Sequence, residues 1–61
     1  MRTPEERLAR AEELNERAAS LNERVREATD AEEVGALLAE LEEVAKQTTE
    51  LLEEIRRDAG A

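Results

Sequence analysis

The side chains best suited to chemistry in this chain are glutamates that recur four residues apart. The pairs are Glu12/Glu16, Glu23/Glu27 and Glu50/Glu54. Residues four apart share one face of a helix, so each pair brings together two carboxylates able to hold a hard cation or to act in acid/base catalysis. All three pairs fall at outer positions of the helices predicted below. Solvated surface acids are therefore the expected interpretation, and no metal site is assigned.

The remaining candidate nucleophiles lack a group that would activate them. Ser20, Thr48 and Thr49 have no histidine base, since the chain contains no His, and Lys46 has no apolar pocket around it. Cysteine is also absent, which removes disulfides and soft metal ligands. The sequence therefore predicts a protein that is not an enzyme, has no cofactor and takes no small-molecule substrate.

Composition argues against nucleic acid and membrane as partners. The net charge of −8 repels phosphate, and no aromatic ring is present to stack on bases. The longest apolar run spans four residues, Ala36 to Ala39, which is too short to cross a bilayer. No targeting signal is readable at the N-terminus. The expectation is a soluble chain, cytoplasmic if expressed in a cell, with its compartment otherwise unknown.

The elements that must position any site are two amphipathic helices. Thr3 and Pro4 read as an N-cap and a first helical residue, with Glu6 three residues after the cap. From there apolar residues alternate in steps of three and four, as a heptad seam does, and predict helix one over about 4–28. They are Leu8, Ala11, Leu14, Ala18, Leu21, Val25 and Ala28.

A change of phase after Ala28 predicts a turn at about 29–30. The next large apolar residue is Val34, and six residues of helix rotate the stripe off its face. Thr29 or Asp30 can cap a second helix, predicted over about 31–58, with Gly60 suited to a C-terminal cap. Neither Gly nor Pro enforces the break, so one continuous helix is the alternative.

The fold class predicted for residues 1–61 is therefore all-α, a single antiparallel two-helix hairpin that associates into a helical bundle. Its core would pair the a positions of one helix with the d positions of the other, including Leu14 with Thr48. In helix two the a positions are Val34, Leu41, Thr48 and Ile55, and the d positions are Leu37, Val44 and Leu51. One flank would carry three complementary polar rungs. These are Arg10 with Glu54, Arg17 with Gln47, and Arg24 with Glu40.

The opposite flank is apolar, and we call it the apolar edge. Its six residues occupy the e positions of both helices: Leu8, Asn15, Asn22, Leu38, Ala45 and Leu52. A two-helix core is small, so this edge is the predicted oligomer interface, which would complete a dimeric four-helix bundle. Scattered surface leucines are the simpler alternative. The two asparagines would either hydrogen-bond across the interface or remain half-exposed at its margin.

A second surface consists of small residues, Gly35, Ala36 and Ala39, on the outer face of helix two. Glycine inside a helix costs about 0.5–1 kcal/mol relative to alanine. The patch would admit a closely packed neighbour, or Gly35 is simply tolerated.

The chain resembles computationally designed helical-hairpin proteins. The resemblance covers the whole chain and lies in its regular caps, its complementary flank, the repeated Leu-Asn-Glu-Arg at 14–17 and 21–24, and the absence of Cys, His and aromatics. It implies an assembly scaffold and no active residue. Gly35 and the ratio of eight arginines to one lysine depart from that style and suit a natural bacterial protein.

Two functions follow from these patterns. The first is a non-catalytic, self-assembling hairpin whose partner is itself, a homo-oligomer. The alternative is a natural acidic helical module that docks a basic protein partner. Residues 31–61 carry nine acids and three bases and would steer such a partner.

Overall fold

The protein is an antiparallel helical hairpin, as the sequence predicts. The computed structural model describes residues 2–60, of which α1 spans Pro4–Glu27 and α2 spans Ala31–Gly60. Ion pairs join the beginning of α1 to the end of α2, so the helices run antiparallel. Within residues 2–60 there is no strand. The hairpin measures 47 × 16 × 13 Å, and the all-α fold class is confirmed.

The first helix begins where its capping residues place it. Thr3 has an extended backbone, and its hydroxyl oxygen accepts a hydrogen bond of 3.2 Å from the backbone N–H of Glu6. Pro4 follows as the first helical residue, where its missing N–H costs nothing. The predicted N-terminal cap of α1 is confirmed.

The chain reverses direction over Ala28, Thr29 and Asp30. Ala28 is extended, with φ −67° and ψ 138°, and its N–H donates to the carbonyl of Arg24 at 3.0 Å. The carboxylate of Asp30 then accepts a hydrogen bond of 2.8 Å from the backbone N–H of Glu33, and α2 begins at the next residue, Ala31. Asp30 is thus the residue that caps α2. Because these local bonds satisfy both helix ends, the chain forms two helices instead of one continuous rod.

The second helix continues two residues beyond the expected end. Gly60 is helical, and no described glycine has a positive φ. The expectation that Gly60 would form a C-terminal cap is therefore wrong. Nothing between Ile55 and Gly60 interrupts the helix, because that segment contains neither proline nor an earlier glycine.

The core lies along the d positions of both helices. The buried residues are Leu14, Leu21, Leu37, Val44 and Leu51. Alanines at 11, 18 and 28 pack against them together with Val25 and Leu41. The d positions of α2 thus face α1, and its a positions are displaced toward the surface. Val34 and Leu41 are half-buried there, and Thr48 and Ile55 are exposed.

Thr48 is accordingly not a core partner of Leu14. Its hydroxyl donates to the carbonyl of Val44 at 2.9 Å, one turn back along α2. A helical threonine can satisfy its hydroxyl this way without a partner on another element.

Neither helix contains, within residues 2–60, a stretch long and apolar enough to cross a membrane.

Candidate interaction surface

The whole of the apolar edge lies on the surface of the hairpin. All six of its residues are exposed. The leucines stand out because 63% of Leu8 and 48% of both Leu38 and Leu52 remain accessible to solvent. Leu38 and Leu52 are fourteen residues apart on α2, or about 21 Å at 1.5 Å per residue. The apolar edge is therefore a stripe that extends along the helices and not one compact cluster.

The displaced a positions of α2 widen this surface. Ile55 is 39% exposed, although the heptad pattern assigns it to the core. Together with Pro4, Arg7, Leu8 and Ala11 it lines an open groove of about 290 Å³ between the two helices. The groove lies at the open end of the hairpin and extends the apolar edge there.

The two amides of the apolar edge have no protein partner in the part of the chain that the structure describes. Neither Asn15 nor Asn22 makes a side-chain hydrogen bond there, and both are exposed. Each amide can donate two hydrogen bonds and accept two. Both are therefore available to a molecule that covers this face.

The opposite flank is polar, but its contacts differ from the predicted rungs. Arg10 donates a hydrogen bond of 2.9 Å to the side-chain oxygen of Gln47 and one of 3.0 Å to the carboxylate of Glu13. The predicted pair of Arg10 with Glu54 does not form. Among residues 2–60, neither Arg17 nor Arg24 makes an ion pair with α2. Each arginine of an antiparallel pair lies between two residues of the other helix, so heptad position alone does not select its partner.

Glu54 is instead held by two other arginines, Arg2 just before α1 and Arg7 within it. Arg2 contacts one of its carboxylate oxygens at 3.2 Å, and the Nε of Arg7 lies 3.7 Å from the other. Arg7 also forms an ion pair with Asp58. This network joins the two helices at the open end.

Arg7 is the deepest charged side chain of that network, with 12% of its side chain exposed. Its Nε is buried and lacks a hydrogen-bond partner among the described residues. Sequence reasoning missed this group. The signal was present, because Arg7 precedes Leu14 by seven residues and Asp58 follows Leu51 by seven. Both charges continue the core seam, where opposite signs allow them to pair.

The acidic pairs offer no reactive arrangement. Glu12, Glu16, Glu23, Glu27 and Glu50 are exposed, and only Glu54 is partly covered, by its arginine partners. Within residues 2–60, no three acidic side chains are grouped so that they could hold a metal ion.

The small-residue patch is open. Gly35, Ala36 and Ala39 are exposed, and a Cβ built on Gly35 would meet no atom within 4 Å. The fold itself does not require glycine at this position.

Comparison of the chain with protein-family models, with curated proteins and with solved structures finds no match. The function proposed for the chain is therefore based on the geometry of the hairpin.

Proposed function

We propose that this protein is a non-catalytic, self-associating helical hairpin, and that its function is its own homo-oligomer, a dimeric four-helix bundle. The observation that carries the proposal is the exposure of Leu8, Leu38 and Leu52 along one face. The resemblance to designed helical hairpins implies the same role, an assembly scaffold. No catalytic residue, cofactor, nucleic acid or membrane enters the proposal.

The size of the core supports association. Five residues are buried below 5% exposure among those described, and none of them is aromatic. Chains of about 60 residues bury too little surface for a large margin of stability, and this one has neither disulfide nor histidine to supplement its core. Burying one leucine contributes about 1.5–3 kcal/mol. Covering the apolar edge would therefore add substantially to a small folding free energy.

The dimensions of the face also suit a dimer. The whole broad side of the hairpin, 47 by 16 Å, has a projected area of about 750 Å², of the order of the ~800 Å² that each partner buries in a standard interface, and the apolar edge occupies about 21 Å of its length. Charged side chains are absent from the six residues of the apolar edge. This composition agrees with the depletion of charge at the centre of protein interfaces.

The test replaces two leucines of the apolar edge by charged residues. We expect Leu38→Glu with Leu52→Glu to convert an oligomer into a monomer, because association would bury four added carboxylates per dimer. Sedimentation velocity measures the mass, and circular dichroism measures helicity in the same samples. We also expect the variant to lose helicity, since an isolated hairpin with this core is marginal.

A matched control separates the position of the charges from their number. Ala9→Glu with Ser20→Glu adds the same two charges at exposed positions of α1, away from both the apolar edge and the small-residue patch. We expect this control to sediment and fold like the parent. Equal behaviour of the two double variants would contradict the assignment of the interface.

A second candidate function is a module that docks a basic protein, favoured by the nine acids and three bases of residues 31–61. It predicts a parent chain that is monomeric and stably folded. The same sedimentation experiment therefore distinguishes the two functions.

A further inference from the structure

The residues of the apolar edge are evenly spaced about one central residue on each helix. On α2, Leu38 and Leu52 lie seven residues to either side of Ala45. On α1, Leu8 and Asn22 lie seven residues to either side of Asn15. Seven residues correspond to about 10.5 Å of helix. Each helix thus presents a small or polar central residue with equidistant neighbours.

The two centres lie at about the same level of the hairpin. Cross-helix contacts pair Arg7 with Glu54 and Arg10 with Gln47, and these contacts fix the relative level of the helices. Continuing the antiparallel pairing from them brings Asn15 level with Ala45. A single two-fold axis that runs across the hairpin, perpendicular to both helices and parallel to the apolar face, can therefore pass over both residues.

Two symmetric arrangements would cover the apolar edge with a second copy. With the axis along the helices, α2 packs on α1 of the second copy, and Ala45 faces Asn15 of that copy. With the axis perpendicular to the helices, each helix packs on its own counterpart. Ala45 then faces Ala45, and Asn15 faces Asn15.

Hydrogen bonding favours the perpendicular axis. An axis along the helices would place Asn15 against alanine and Asn22 against leucine, so that four amides per dimer are buried without partners. An unsatisfied buried polar group costs about 1–3 kcal/mol. The perpendicular axis brings the two Asn15 amides together, where each can donate to the other. It leaves only the Asn22 pair facing Leu8, toward the ends of the bundle.

Charge favours the same axis. Residues 27–33 around the turn contain four acids and no base. An axis along the helices would place the two turns side by side. The perpendicular axis places each turn beside the open end of the other copy, where residues 2–7 and 53–58 carry four bases and five acids and are nearly balanced in charge. The two strongly acidic turns are thereby kept apart.

We infer that two copies of this chain pack apolar edge on apolar edge around a two-fold axis perpendicular to the helices, which passes between the two Ala45 residues and between the two Asn15 residues. The inference rests on the proposed function and specifies its geometry. Leu38 of each copy then packs on Leu52 of the other. The alanine at the axis allows the two α2 helices to approach closely.

A single cysteine tests this geometry, because the chain has none of its own. A residue on a two-fold axis meets its own counterpart, so Ala45→Cys should form a disulfide between copies. Asn15→Cys tests the axis independently on α1. Each variant is equilibrated in a glutathione redox buffer, and the covalent dimer is measured on non-reducing gels. We expect at least about tenfold more covalent dimer than for Glu43→Cys, an exposed position on the outer side of α2, because effective concentration favours pairs held in contact.

The opposite pattern identifies the other axis. If neither variant exceeds Glu43→Cys alone but an equimolar mixture of Ala45→Cys and Asn15→Cys forms the covalent dimer, the axis runs along the helices and the inference is wrong. Sedimentation of the reduced variants separates this outcome from a failure of the proposed function. A reduced dimer without the expected disulfide contradicts the geometry alone, and a monomeric parent contradicts both.

Discussion

Arg7 and Asp58 continue the apolar seam of their respective helices and pair with each other at the open end of the hairpin. Arg7 also lies 3.7 Å from Glu54, whose other oxygen contacts Arg2. The core of the hairpin is thus closed at this end by charges of opposite sign. Because Arg7 is largely buried, the pair matters more than an ordinary surface contact.

Removing Asp58 tests this closure. We expect Asp58→Ala to lower the free energy of unfolding by about 1–2 kcal/mol, because charged hydrogen bonds contribute ~1.5–3 kcal/mol and partial exposure reduces that value. Urea unfolding at one fixed protein concentration measures the change. Arg26→Ala is the control, since Arg26 is 77% exposed in its pair with Glu23, and it should have almost no effect. Equal losses in the two variants would contradict the structural role of Asp58.

Replacing both charges by leucine should restore the loss. Arg7→Leu with Asp58→Leu removes the buried Nε that lacks a hydrogen-bond partner and extends the core seam by one apolar pair. Substitution of a buried ion pair by apolar residues is often neutral or stabilising. We therefore expect the double variant to unfold at a urea concentration equal to or above that of the parent. A larger loss than Asp58→Ala would show that the charges themselves are required.

Truncation of the core should separate buried from exposed positions. We expect Leu21→Ala to cost about 2–5 kcal/mol, because Leu21 is only 3% exposed and its truncation leaves a cavity. Glu12→Ala, at an exposed position of the same helix, should change stability little. Comparable losses in thermal or urea unfolding would mean that the heptad phase of α1 is misassigned.

The turn depends on a single capping carboxylate. We expect Asp30→Ala to cost about 0.5–2 kcal/mol, because the N–H of Glu33 loses its acceptor. Asp30→Asn retains an acceptor oxygen and should be close to the parent. If both substitutions cost the same in urea unfolding, the charge of Asp30 and not its hydrogen bond maintains the start of α2.

Gly35 offers a test of the small-residue patch. An added Cβ meets nothing within 4 Å and the position is helical, so Gly35→Ala should stabilise the protein by about 0.5–1 kcal/mol. The melting temperature at fixed concentration measures this gain. A loss of stability, or a change in sedimenting mass, would instead indicate that a neighbouring chain packs on Gly35, Ala36 and Ala39.

The parts of this fold that sequence predicts well are those decided by neighbouring residues. The caps at Thr3 and Asp30 follow from side chains that reach a backbone N–H three residues away. The buried residues follow from heptad spacing, since every buried residue in the described part of the chain occupies a d position. Both signals are local, so one sequence is enough to find them.

The contacts that sequence did not predict depend on how the helices rotate and on where long side chains reach. The d positions of α2 face α1, and Ile55 and Thr48, at a positions that heptad counting assigns to the core, are exposed. Arg10 reaches Gln47, and Glu54 is taken by Arg2 and Arg7. Flexible arginines have several acceptors within range, and the choice among them follows from packing that no short pattern records. The apolar edge was identified from spacing, but its occupant remains a prediction.

The central claim is that the exposed apolar edge is covered by a second copy of the chain, and sedimentation equilibrium of the unmodified protein tests it most directly. The measurement should span about 1–100 µM, since an equilibrium between monomer and oligomer depends on concentration. Self-association predicts a mass of twice the 6.9 kDa of the chain at the higher concentrations, with a melting temperature that rises with concentration. A mass of 6.9 kDa throughout that range, with cooperative unfolding independent of concentration, would contradict it.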